Sequence, residues 1–190
     1  MDRYHIALFI HLLAFLVAAG ATATTKLAAG RLARAKTVAD ALDWHSVLSG
    51  ASKLFPLCTA ALVITGAYML SFSNAAAWRS GFVLAGLTGV VLLLAIGGFL
   101  AAKGKAVHQR LEQLAAQNAD QPAPKVVPSA VVAALPMINT GIALGVAFDM
   151  VTKPASIPAA LGVLAIGVVL GAAMGARRSA PTPQLVRASS

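Results

Sequence analysis

The chain has 190 residues, 58% of them hydrophobic and 11% charged, with a mean hydropathy of +0.80. A soluble domain carries about 25% charged residues, so this composition excludes an ordinary water-soluble globule and points to a polytopic membrane protein. The net charge of +9 belongs, in such a chain, to loops on one side of the membrane and does not point to nucleic acid; the single cysteine, Cys58, excludes an internal disulfide and any cysteine-pair metal or redox motif.

Windows of about 20 residues predict five transmembrane helices, the number of apolar runs able to cross a core about 30 Å thick. They lie near 6–28, 47–70, 81–102, 130–150 and 155–176, giving an all-α bundle over 1–177 and a disordered tail over 178–190. The first run could also be divided as a signal peptide, with MDRYH as n-region and ATA (21–23) as cleavage site. Its length and the histidine inside it favour a retained helix.

That histidine, His11, stands in FIHLLAFLVAAG (9–20), about five residues or roughly 8 Å into the span. An imidazole facing lipid is costly, so it is expected to face the bundle, toward the second or fourth span. Its helix face continues through Phe15, Ala18, Thr22 and Lys26. Three readings stay open: a hydrogen bond to a neighbouring helix, ligation of haem or metal, and a proton relay.

The second span begins at His45 and carries Lys53, whose long stem can snorkel to the membrane edge. Pro56 removes the helical partner of the Ser52 carbonyl, so a break is expected there, with Cys58 beside it. After the third span, GKAVHQRLEQLAAQN (104–118) has helix-forming composition and extends that helix until DQPAPKVVP (120–128) ends it. His45 and His108 therefore share one side of the membrane and could face each other, but not His11. His5 is on the same helix as His11 and points about 120° away. A two-histidine site at His11 is thus not expected; an opposite ligand would be Met69, Met150 or Lys153.

The fourth span places Pro136, Asn139 and Thr140 near mid-membrane, with Asn139 expected to bond across to another helix. It ends in FDMVTKP (148–154), where Asp149 and Lys153 are four apart and could pair. The fifth carries Gly167, Gly171 and Gly175, and the fourth Gly141 and Gly145, stripes on which a helix of the same bundle or of a second copy can pack.

The basic residues sort by side. Lys26, Arg31, Arg34, Lys36, Lys103, Lys105, Arg110, Lys125, Arg177, Arg178 and Arg187 fall on one side; Arg3, Arg79 and Lys153 fall on the other. This asymmetry predicts an N-terminus outside and a cytoplasmic C-terminus. No metalloprotease, serine-hydrolase or phosphate-loop motif is present. The methionines are too dispersed for a dedicated copper path.

The stretches IHLLAFLVAAGATATTKLAAGRL (10–32), FPLCTAALVITGAYML (55–70) and DMVTKP (149–154) together resemble the copper-resistance-D-like bacterial membrane proteins, and within them a family of predicted integral membrane proteins. That wider group is similar to the haem-containing membrane protoporphyrinogen oxidases. The resemblance implies that His11 matches their ligand histidine and Lys153-Pro154 their fourth-helix ending. The third-helix lysine of those oxidases has no counterpart in WRSGFVLAGLTGVVLL (78–93), so it implies at most one histidine ligand and not the full enzyme. Three functions follow as expectations: haem b or metal binding through His11 in a redox-linked role; a copper or small-solute transport component using His5, His11, Met69 or Met150; and an accessory subunit that packs against partner helices in the lipid bilayer.

Overall fold

The computed structural model describes residues 2–72, 75–124 and 129–179. Six α-helices account for nearly all of them: α1 (Arg3–Leu32), α2 (Val38–Ser52), α3 (Leu54–Ser71), α4 (Gly81–Gln117), α5 (Ala130–Thr152) and α6 (Ile157–Ser179), with a short 3-10 helix at Ala75–Arg79 before α4. Among the described residues there is no strand, only an isolated bridge between Thr37 and Pro122. Five segments are long and apolar enough to cross a membrane: Arg3–Leu32, Val38–Ser71, Gly81–Gln117, Val131–Thr152 and Ile157–Arg177. The five expected spans are thus present in an all-α architecture. Lys125, Arg187 and the expected tail from residue 180 onward lie outside the described residues, and α6 continues to Ser179.

The second span differs from expectation at its start. Helix begins at Val38 and is interrupted at Lys53, between α2 and α3. The break falls where Pro56 leaves the Ser52 carbonyl without an amide donor. Lys53 is exposed there, and at 1.5 Å per residue it lies roughly 27 Å from Ser71, across a core of about 30 Å. It therefore marks the edge of the span. The extension of α4 runs to Gln117 as its composition indicates.

The helices form two groups. In the first, α1 packs on α2 and α3; in the second, α4, α5 and α6 pack on one another; the broad contact joining the groups is α2 against α4. The α1 seam is made by Ala7, Ala14, Ala21 and Ala28, all buried. Seven-residue spacing of a small side chain keeps one stripe facing its neighbour along two helical turns at a time, as in a left-handed helix pair. In the second group, a Cβ on Gly141 would strike the Gly167 carbonyl, and a Cβ on Gly167 the Gly141 carbonyl. Lipid supplies no hydrophobic drive between helices, so close backbone approach and dispersion hold this hairpin. The stripe Gly167, Gly171 and Gly175 is accordingly covered by α5, which settles its use within the chain.

At the basic end, the segment after α4 folds back onto α2. The Val38 and Ala39 amides, which open α2 and lack helical acceptors, donate to the carbonyls of Gln121 and Ala119 at 3.0 Å each. The Thr37 hydroxyl caps the Asp40 amide at 3.2 Å, and Gln121 Nε2 donates to the Leu114 carbonyl at 2.8 Å. Val38 is fully buried at this junction. Aromatic side chains mark the two ends: Tyr4, Tyr68 and Phe72 meet edge-to-face at one, and Arg31 lies over the Trp44 ring at the other. Amphipathic rings favour this level of a membrane.

Candidate functional site

His11 faces α3, the second span, as one of the expectations had it. The Thr65 hydroxyl donates to the Ala61 carbonyl at 2.6 Å, and His11 Nδ1 lies 2.9 Å from the same oxygen. With its one hydrogen on the Ala61 carbonyl, the Thr65 hydroxyl accepts from the ring, an arrangement in which Nδ1 carries the imidazole proton. The neutral ring's lone pair is then on Nε2. Gly66 makes room: a Cβ there would already touch His11 Cε1 at 3.6 Å. The histidine is half-buried and Thr65 buried. Beside them an open apolar groove of about 310 Å³, lined by Ile6, Ile10, Ile64, Thr65 and Tyr68 among others, runs along the α1–α3 surface.

The other sequence candidates divide. Met69 is half-buried one turn beyond Thr65 on α3, on the same seam. Met150 belongs to a different one, its methyl carbon 2.6 Å from the position a Gly86 Cβ would take on α4. Lys153 is exposed at the end of α5. The structure therefore does not bring Met150 and Lys153 to His11. His5 is an exposed first-turn residue whose nearest charge is Asp2, at 3.9 Å. Among the described residues no group of three or more His, Cys, Asp or Glu is placed to hold a metal ion. The set His5 and His11 is thus two separate side chains. Asn139 is half-buried, but its Oδ1 is enclosed without a hydrogen-bond partner, so the expected interhelical bond is not made.

His45 and His108 do face each other. Their rings stack at 5.0 Å between centroids and 19° between planes, across the α2–α4 joint. His45 is 3% exposed, the Nδ1 atoms of both rings are enclosed without partners, and His108 Nε2 lies 3.4 Å from Glu112 Oε1. Stacked faces direct the ring nitrogens sideways, so the pair cannot clasp a metal between them.

Asp149 is the residue that sequence reasoning placed wrongly. It is fully buried, and among the described residues neither carboxyl oxygen has a hydrogen-bond partner and no ion pair with Lys153 forms. Lys153 adopts φ 47° and ψ 55°, the left-handed conformation, while its amide closes α5 on the Asp149 carbonyl at 2.8 Å. This reversal turns its side chain off the helix face on which a residue four positions on would pair. Asp149 lies one turn beyond Gly145, whose neighbour on α6 is Leu164, and next in α5 to Met150, whose methyl carbon reaches Gly86 of α4. It is therefore level with the first turns of α4 and α6, where Ala85 and Ala160 are also fully buried. An ionised carboxylate without partners costs several kcal/mol in such a place. A helix N-terminus offsets at most about 2 kcal/mol of that. Scans against protein-family models, curated proteins and solved structures returned no match.

Proposed function

We propose that this is a bacterial inner-membrane protein that carries haem b or a metal ion through a single histidine, His11, in a redox-linked role. The observation that supports it is the 2.9 Å contact of His11 Nδ1 with Thr65 Oγ1: with the hydroxyl proton on Ala61, Thr65 accepts from Nδ1 and leaves Nε2 as the donor nitrogen. Metal-bound histidines are held in this way, with the second nitrogen tied to an acceptor on the protein. The resemblance of residues 10–32, 55–70 and 149–154 to copper-resistance-D-like proteins adds support. Bound haem would supply one-electron chemistry; the chain's part would be to hold one ligand nitrogen, that of His11, in place. Met69 is the side chain on the same seam that could approach from α3.

The positive-inside asymmetry supports an N-terminus outside and a cytoplasmic C-terminus, so the basic end with the His45–His108 stack would be cytoplasmic. A second copy would dock on a face other than Gly167, Gly171 and Gly175, which α5 already occupies.

The test is an ultraviolet-visible spectrum with elemental analysis on detergent-purified protein. A haem b spectrum or stoichiometric metal is expected in the wild type and is lost in His11→Ala. In Thr65→Val, removal of the orienting acceptor lowers affinity for that group about 10- to 100-fold. Wild-type protein with neither haem nor metal, or an unchanged spectrum in His11→Ala, overturns the proposal.

A further inference from the structure

We propose that Asp149 is a reversible proton-binding site near the end of the bundle that the charge asymmetry assigns to the outside. The burial is complete and, among the described residues, both carboxyl oxygens lack partners, although Asp149 lies only three residues inside the end of α5. A carboxyl kept that close to water, yet given no hydrogen bond and no cation, is stable there with a proton and unstable without one.

The surroundings select the proton over a larger cation. A metal ion such as Ca²⁺ takes six to eight oxygen ligands, whereas Asp149 belongs to no group of three or more His, Cys, Asp or Glu among the described residues. The helices facing it offer no charge: α4 has none from Gly81 to Ala102, α6 none from Ile157 to Ala176, and α5 has no other. The charged groups flanking these helices are Arg79 on the 3-10 helix and Lys153, both exposed and neither paired with Asp149; Asp2, Arg3 and His5, also exposed at this end, belong to the start of α1 in the other helix group. The α4 and α6 helices also present their amide ends here, since the Gly81 amide donates to the Ala155 carbonyl just before α6. Those ends repel a bound cation but ease the charge left when the proton departs. Proton loss is therefore tolerated transiently, which makes the site exchangeable.

The inference does not rest on His11, and protein without cofactor shows it equally. The experiment is infrared difference spectroscopy of the full chain in lipid vesicles, stepped in pH and transferred to heavy water. The wild type is expected to show the carbonyl stretch of a protonated carboxylic acid at neutral pH, a shift of that band in heavy water, and its reversible loss as pH rises. Asp149→Asn removes the band; Asp149→Glu, should the first variant not fold, moves it. Asp2, Asp40, Asp43, Glu112 and Asp120 are the other acids, and none is buried. A band missing at neutral pH, one that neither exchanges nor titrates, or one that persists unshifted in the variants, overturns the proposal.

Discussion

Replacing Gly171 by alanine puts a methyl carbon 2.5 Å from the Met137 carbonyl oxygen, 2.7 Å from Ile138 Cα and 2.9 Å from Met137 C. All three are backbone atoms of α5, so none can rotate aside, and ordinary contact begins at 3.4 Å. The two helices must therefore part by roughly 1 Å at this level, an overpacking strain of about 1–3 kcal/mol. The control is Gly162→Ala on the same helix, where nothing lies within 4 Å of the added carbon. Both variants gain the same helix propensity, so their difference isolates the contact. Unfolding in mixed micelles of rising dodecyl sulfate content, followed by tryptophan emission and circular dichroism, measures it. Gly171→Ala is expected to be less stable than Gly162→Ala by about 1–3 kcal/mol. Equal stability of the two variants would show that the glycine stripe does not carry the α5–α6 contact and would refute the reasoning.

Lys153→Gly is expected to raise stability by about 1 kcal/mol in the same assay, because a side chain at φ 47° is strained and glycine is not. A loss of stability would mean that the lysine head group is engaged, as a ligand role requires. For orientation, in a Cys58→Ser background, His5→Cys is expected to react with an impermeant maleimide in intact cells and Arg34→Cys only after the cells are opened. Arg34→Cys labelled from outside reverses the assigned topology.

Much of the fold was legible because a membrane span is a coarse signal: about 20 apolar residues suffice to declare it, whatever their order. The glycine spacing in the last two spans and the break before Pro56 were legible for local reasons, since both depend on residues a few positions apart. Helix starts were less so. Val38 begins α2 because carbonyls from Ala119 and Gln121 receive its first amides, a pairing across about eighty residues that no window reveals. The Ala7–Ala14–Ala21–Ala28 seam was readable as a seven-residue period of small side chains, but it hides in a chain where alanine is abundant. At the site, His11 facing a neighbouring span followed from the cost of a polar ring in lipid, and its partner Thr65 did not, since threonine satisfies itself within its own helix. Asp149 was misjudged because a four-residue spacing to lysine assumes that the helix continues through both. One left-handed residue ended it and left the acid alone in the interior.

The joint between α2 and α4 has a mechanical meaning. With the two helix groups fastened broadly at the basic end, a rotation of one group against the other would pivot near Gly104, where the His45 ring lies. From there to Gly81 the α4 arm is about 35 Å long at 1.5 Å per residue, so a turn of about 5° at the pivot would swing its far tip by about 3 Å. A rotation that barely shifts the stacked rings beside the pivot would thus be felt as a displacement of ångströms at the far end of α4, level with Asp149 and the first turn of α6.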